Sequence, residues 1–160
     1  MKKILIVVDM QKGFMTKPNY IELKDKINYL IEKENYTNYI FTKFINEDKS
    51  FYETKLNWYE LKDKESQSIC VNIPKNAIIL DKYGYGLSKE QIELIKTLKV
   101  VTVDICGLQT DACVYAIALQ LFDNGIYPNI LINYCQTSPS RNKIAKEILI
   151  HQFGKVEEKL

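Results

Sequence analysis

The sequence predicts an α/β protein, with an open parallel sheet covered by helices on both faces. Two observations carry that prediction: short, continuous Ile- and Val-rich runs, as in strands buried on both sides, alternate with longer segments whose apolar residues recur at helical spacing. Size is a third observation. With 160 residues, 46% of them apolar, the chain makes a single domain over 1–160 that can bury a core without disulfides or a structural metal.

Lys3 to Val8 reads as a buried strand that ends at Asp9. From Tyr20 to Glu34, Ile21, Leu23, Ile27, Leu30 and Ile31 mark one face of an amphipathic helix. Asn38 to Ile45 returns to strand character. Glu47 to Asn76 is the least regular stretch, read as a loop with a short helix near Tyr52 to Leu61 and closed by Pro74. Ala77 to Leu80 is the next strand, followed by Asp81, Lys82 and the glycine-punctuated Tyr83-Gly84-Tyr85-Gly86. Ser88 and Gln91 form a capping box for a helix to about Thr97. Val100 to Cys106 is a strand, Gly107 marks a turn, and Asp111 to Asn124 is a helix stopped by Gly125. Tyr127 to Tyr134 and Ser138 to Phe153 complete the pattern as strand and helix.

Composition excludes several functions. The 22 Lys and Arg residues against 20 Asp and Glu leave a net charge of +2 without a basic block, which argues against nucleic acid as a partner. Ile4 to Val8 is far too short to span a bilayer, and the Met-Lys-Lys start lacks the apolar core of a secretory signal, so no membrane association and a cytoplasmic location are expected. Cys70, Cys106, Cys113 and Cys135 contain no CxxC pair and are expected as free thiols. His151 is the single histidine, so no site needing two imidazoles can form; late in the last helix, it reads as a surface or interface residue.

Open parallel sheets bind ligands at the carboxyl ends of their strands. Three reactive side chains fall there: Asp9, Lys82 and Cys113. Cys113 follows a strand-turn-helix junction with Thr110 or Asp111 as the expected N-cap, a position where unpaired N–H groups and the helix dipole favour thiolate over thiol. Cys106, inside an apolar strand, reads as packing. A cysteine nucleophile needs a base, and Asp9 can serve, with the Lys82 ammonium orienting it. Backbone N–H groups of Gln109 and Cys113 would receive the developing oxyanion.

Three segments then carry a resemblance: Leu5-Ile6-Val7-Val8-Asp9-Met10-Gln11-Lys12-Gly13-Phe14, Leu80-Asp81-Lys82-Tyr83-Gly84-Tyr85-Gly86, and Gly107-Leu108-Gln109-Thr110-Asp111-Ala112-Cys113-Val114. In this order they resemble the signature regions of the isochorismatase-like cysteine hydrolases, the superfamily of nicotinamidase and N-carbamoylsarcosine amidohydrolase. The resemblance implies a three-layer α/β/α, Rossmann-like fold with a central parallel sheet and an Asp9–Lys82–Cys113 catalytic triad. It also implies a non-proline cis peptide at Leu108-Gln109, and cleavage of an amide or ureide C–N bond through a thioester. Nicotinamidases carry an Asp-x-His metal motif after the second strand; Phe41 to Asp48 has no histidine here, so no metal and no other cofactor are expected.

A small-molecule substrate and a homo-oligomer, dimer or tetramer, are the expected partners. Phe14 and Tyr83, in loops beside the motifs, are the pocket candidates, with Asn46 and Gln109 for polar specificity, whereas Phe44 and Trp58 read as core. Two other readings compete. A catalytically idle relative would bind a small molecule or partner without turnover, and a phospho-accepting receiver domain would need paired acids where Asp9-Met10-Gln11 stands.

Overall fold

The computed structural model describes residues 2–154; Met1 and residues 155–160, included in the predicted domain, lie outside the described residues. Five strands, β1 (Ile4–Val8), β2 (Asn38–Phe44), β3 (Ala77–Lys82), β4 (Thr102–Leu108) and β5 (Tyr127–Gln136), form one all-parallel sheet in the order β3-β2-β1-β4-β5. The helices are α1 (Pro18–Lys33), α2 (Phe51–Thr54), α3 (Lys64–Gln67), α4 (Lys89–Thr97), α5 (Cys113–Asp123) and α6 (Asn142–Phe153). None of the described helices is long and apolar enough to cross a membrane.

Strand alternation sorts β1 into both layers of core. Ile4, Ile6 and Val8 pack with Ile92 and Ile95 of α4, Val114 and Ile117 of α5, and Leu149 of α6. Leu5 and Val7 pack on the opposite face against Tyr20, Leu23, Ile27 and Leu30 of α1. Burial on both faces is why this strand reads as an unbroken apolar run. From β1 the chain winds outward through β2 to β3 and then crosses back to β4, so the winding reverses between β1 and β4 and leaves a crevice at their carboxyl ends.

Several boundaries differ from those read in the sequence. Strand β3 continues to Lys82: Leu80 and Lys82 share its buried face while Asp81 points outward. Gly107 is a strand residue and not a turn. It has φ 120°, and a Cβ there would lie 2.2 Å from the Val8 carbonyl oxygen, so only glycine lets β4 run this close to β1. Helix α1 starts earlier, with Pro18 in its first turn, where a missing N–H costs nothing. The last helix starts later, because Ser138 to Arg141 forms a turn closed by the Arg141 N–H on the Ser138 carbonyl. The short helix expected near Tyr52 to Leu61 stops at Thr54, and Asn57 and Leu61 adopt left-handed φ of 52° and 57°, incompatible with continuing it.

Candidate active site

Two strand ends and the start of one helix each deliver a reactive side chain to the crevice. Asp9 directly follows β1 with φ 48°. Its N–H donates to Thr42 Oγ1 at 3.1 Å, and the Thr42 hydroxyl donates to Asp9 Oδ1 at 2.6 Å. Lys82, the last residue of β3, places Nζ 2.8 Å from Asp9 Oδ2, with both side chains 1% exposed. The same ammonium donates to the Gly84 carbonyl at 2.8 Å and lies 3.3 Å from Cys113 Sγ. Asp9, Lys82 and Cys113, 104 residues apart from first to last, thus meet at one point.

Cys113 is the first residue of α5, and Ala112 is its N-cap. Neither Thr110 nor Asp111 caps the helix. The Asp111 carboxylate is engaged by Thr137 Oγ1 at 2.6 Å and Arg141 Nε at 2.5 Å, and the Thr110 N–H donates to the Gln136 carbonyl. The thiol also differs from the thiolate expected. Burial, followed by the neighbouring Asp9 charge, pushes the Cys113 thiol up to about 12, and the Lys82 ammonium only partly opposes this. At neutral pH the sulfur is a protonated thiol that needs a base. Burial works against the Lys82 ammonium, but Asp9 and Cys113 beside it outweigh that penalty and hold its pKa above the ordinary lysine value.

The Leu108–Gln109 peptide bond is cis. The Gln109 carbonyl accepts from the Ala112 and Val114 N–H groups at 3.1 Å each, and its side-chain Nε2 donates to Tyr20 OH at 3.3 Å. The Cys113 N–H sits in the first helical turn, where no residue four positions back supplies an intrahelical acceptor. A cavity of about 330 Å³ opens on the sulfur, bounded by Leu108, Gln109, Ala112 and Cys113 on one side. Its other wall is Phe14, Phe44, Tyr52, Leu56, Trp58 and Tyr85. The rings support one another: Phe14 stacks on Trp58 at 6.2 Å between centroids, and Phe44 meets Tyr52 edge-on at 4.9 Å. Lys82 Nζ lies 5.0 Å from the Phe44 ring centroid, so this wall adjoins the ion pair. A wider open groove of about 940 Å³ runs past Tyr29 and Lys146 and contains none of the three reactive residues.

The isochorismatase domain family model matches residues 3–156. The chain belongs to the isochorismatase family. Family membership makes it a hydrolase and leaves its substrate unspecified. No match is found among curated proteins. Among solved structures, the pyrazinamidase of Pyrococcus horikoshii in complex with zinc is similar at TM-score 0.87 and 22% identity, covering 99% of this chain and 100% of that one. The N-carbamoylsarcosine amidase of Thermoplasma acidophilum is similar at TM-score 0.85 and 16% identity, covering 100% and 99%. Nicotinamidase/pyrazinamidase PncA of Bacillus subtilis follows at TM-score 0.80 and 18%, covering 98% of each.

One of these isochorismatase-fold structures is in complex with zinc, which raises the question of a metal here. Among the described residues no group of three or more His, Cys, Asp or Glu side chains could hold an ion. Where β2 ends, Phe44 turns an aromatic ring to the cavity and Asn46 is buried in loop contacts.

Asn46 and Tyr83 do not line the cavity. Asn46 Nδ2 donates to the Trp58 and Glu60 carbonyls at 3.2 and 2.9 Å and its Oδ1 accepts from Ser50 Oγ at 2.6 Å, so it pins the loop that carries Trp58. Tyr83 follows the inward-pointing Lys82, faces outward and is 54% exposed. Phe14 does line the cavity, as do Phe44 and Trp58, which read as core in the sequence. Tyr85, an aromatic residue within the second motif, lines it as well, and Tyr52 and Leu56 are the lining residues that the sequence does not single out. The available signal was the aromatic density of Phe51, Tyr52, Trp58 and Tyr59 in an otherwise polar segment.

Proposed function

We propose that the protein is a metal-independent cysteine hydrolase that cleaves the C–N bond of a small, uncharged amide or ureide. The observation that carries this reading is the convergence of a buried Asp9–Lys82 ion pair on a thiol at the floor of an aromatic cavity. Asp9 takes the proton from the Cys113 thiol as the sulfur attacks the carbonyl carbon. The developing oxyanion is received by the Gln109 and Cys113 N–H groups. Collapse of the tetrahedral intermediate breaks the C–N bond, and Asp9 returns its proton to the departing nitrogen, so ammonia or an amine leaves and a thioester remains. Water, deprotonated by Asp9, then attacks the thioester, and the acid departs as the thiol regains its proton. Lys82 holds the carboxylate and sulfur in register throughout.

The thiol state of Cys113 agrees with this order of events. A thiol held up to about 12 becomes nucleophilic by handing its proton to an adjacent base during attack, not by standing ionised beforehand. Charge selectivity follows from the wall: it offers rings, Leu56 and one carboxamide, while the adjacent cation among the described residues, Lys82, is already engaged by Asp9. Substrates bearing a carboxylate or ammonium would lose hydration without gaining a partner. Ammonia release from a panel of uncharged primary amides, run beside anionic ones such as succinamate, tests the reading. Turnover of an uncharged amide that vanishes in Cys113→Ala supports it; tight binding with no turnover, unaffected by Cys113→Ser, supports an idle relative instead.

A further inference from the structure

We propose that Thr42 is a positioning residue for this site, its hydroxyl fixing Asp9 so that Oδ1 is capped and Oδ2 is left to Lys82 and the Cys113 sulfur. The inference rests on the triad reading above and deepens it. Thr42 lies in β2 beside the end of β1, one residue past the Val7–Phe41 pairing, and is 1% exposed. A hydroxyl has one proton and two lone pairs. Here a lone pair receives the Asp9 N–H at 3.1 Å, and the proton goes to Asp9 Oδ1 at 2.6 Å. Both contacts fall on one residue, so the hydroxyl ties the carboxylate to its own backbone and sets its rotation about the Cα–Cβ bond.

The consequence is a division of labour between the carboxylate oxygens. Oδ1 is occupied by a donor that cannot leave, because Thr42 is buried and its other contact is the Asp9 amide. Oδ2 faces the ammonium at 2.8 Å and is the oxygen available to accept the thiol proton. Asp9 also sits at φ 48°, a region uncommon for residues other than glycine, and the Thr42 bond to its N–H anchors the backbone in that conformation. Thr42 does not line the cavity, so its effect falls on the chemical step and not on substrate contact.

Acetylation of Cys113 by 4-nitrophenyl acetate, followed by nitrophenolate release and peptide mass, tests this without knowledge of the natural substrate. Thr42→Val keeps the shape and removes the hydroxyl; Thr42→Ser keeps the hydroxyl and removes a methyl. The expected result is a saturating acetylation rate at least about tenfold lower in Thr42→Val, an unchanged half-saturating concentration, and a rate within about threefold of wild type in Thr42→Ser. A packing role predicts the opposite order, with Val tolerated and Ser impaired, and that result overturns the proposal. Thr42→Ala supplies the hydroxyl-free comparison if the Val protein does not fold. Failure of the wild-type protein to acquire acetyl at Cys113 removes the triad reading itself and the inference with it, whereas normal Cys113 acetylation in Thr42→Val removes only the inference.

Discussion

Lys82 Nζ stands 2.8 Å from Asp9 Oδ2 in a site where both side chains are 1% exposed. An ion pair this buried does not have to add net stability, since the cost of stripping water from two charges offsets their attraction. Breaking it is different, because the remaining charge is left buried alone. Lys82→Met is expected to lower folding stability by about 3–5 kcal/mol and abolish turnover. The double variant Asp9→Asn, Lys82→Met should regain most of the stability and none of the activity. Chemical denaturation of the two variants beside wild type makes the comparison.

Gly107→Ala should be severely destabilising. The added Cβ meets the Val8 carbonyl oxygen at 2.2 Å, and φ of 120° is hostile to any side chain. Since Val8 precedes Asp9, relief of the clash also shifts Asp9. We expect a loss above about 2 kcal/mol, read as a lowered thermal midpoint, with impaired turnover in whatever protein remains folded. Gly125→Ala is the control: its φ of 76° is also positive, but nothing lies within 4 Å of the added carbon, so it bears conformational strain without the clash.

Stability should fall in alkali. Burial pushes the Cys113 and Cys135 thiols from 9.0 up to about 12. The unfolded chain therefore releases these protons at lower pH than the folded one. Their contribution is fully present below about pH 9 and is lost as pH rises from there toward 12. Urea denaturation between pH 8 and 10.5 should show a falling midpoint, and Cys135→Ala should flatten part of that slope.

Trp58 stacks on Phe14 and packs tilted against Phe44 at 5.7 Å, so it connects two parts of the cavity wall. Trp58→Ala should raise KM for an uncharged amide by about tenfold or more while changing kcat less, as expected when apolar contact area is lost without moving the reacting groups. Steady-state kinetics on an amide that the wild type turns over checks the split. Equal losses in kcat and in kcat/KM would mean that the wall acts in the transition state.

The parallel sheet was legible because its inner strands are buried on both faces and therefore write continuous apolar runs, Ile4 to Val8 above all. Asp9 and Lys82 were legible because they stand at strand ends beside an apolar or glycine-containing signature, and Cys113 because it follows a strand-turn junction at the start of a helix. What remained hidden depends on tertiary placement. Thr42 looks like any strand threonine until β2 is set against β1, and the Cys113 position in the first turn of α5 suggested a thiolate until burial was counted. Phe44 and Trp58 carry no mark separating a cavity wall from a core, since both uses call for a large apolar ring packed against others. Asn46 reads as a specificity group in the sequence because a polar side chain near a motif points equally well into a pocket or, as here, onto its own loop.

Trapping the covalent intermediate tests the central assignment most directly. A turned-over amide is mixed with the protein, quenched in acid within the first turnovers, and examined by intact mass and peptide mapping. The triad assignment predicts a mass increment equal to the substrate less ammonia or amine, located on Cys113 and absent from Cys113→Ala, which also releases no ammonia. Ammonia release at the wild-type rate from Cys113→Ala would contradict it.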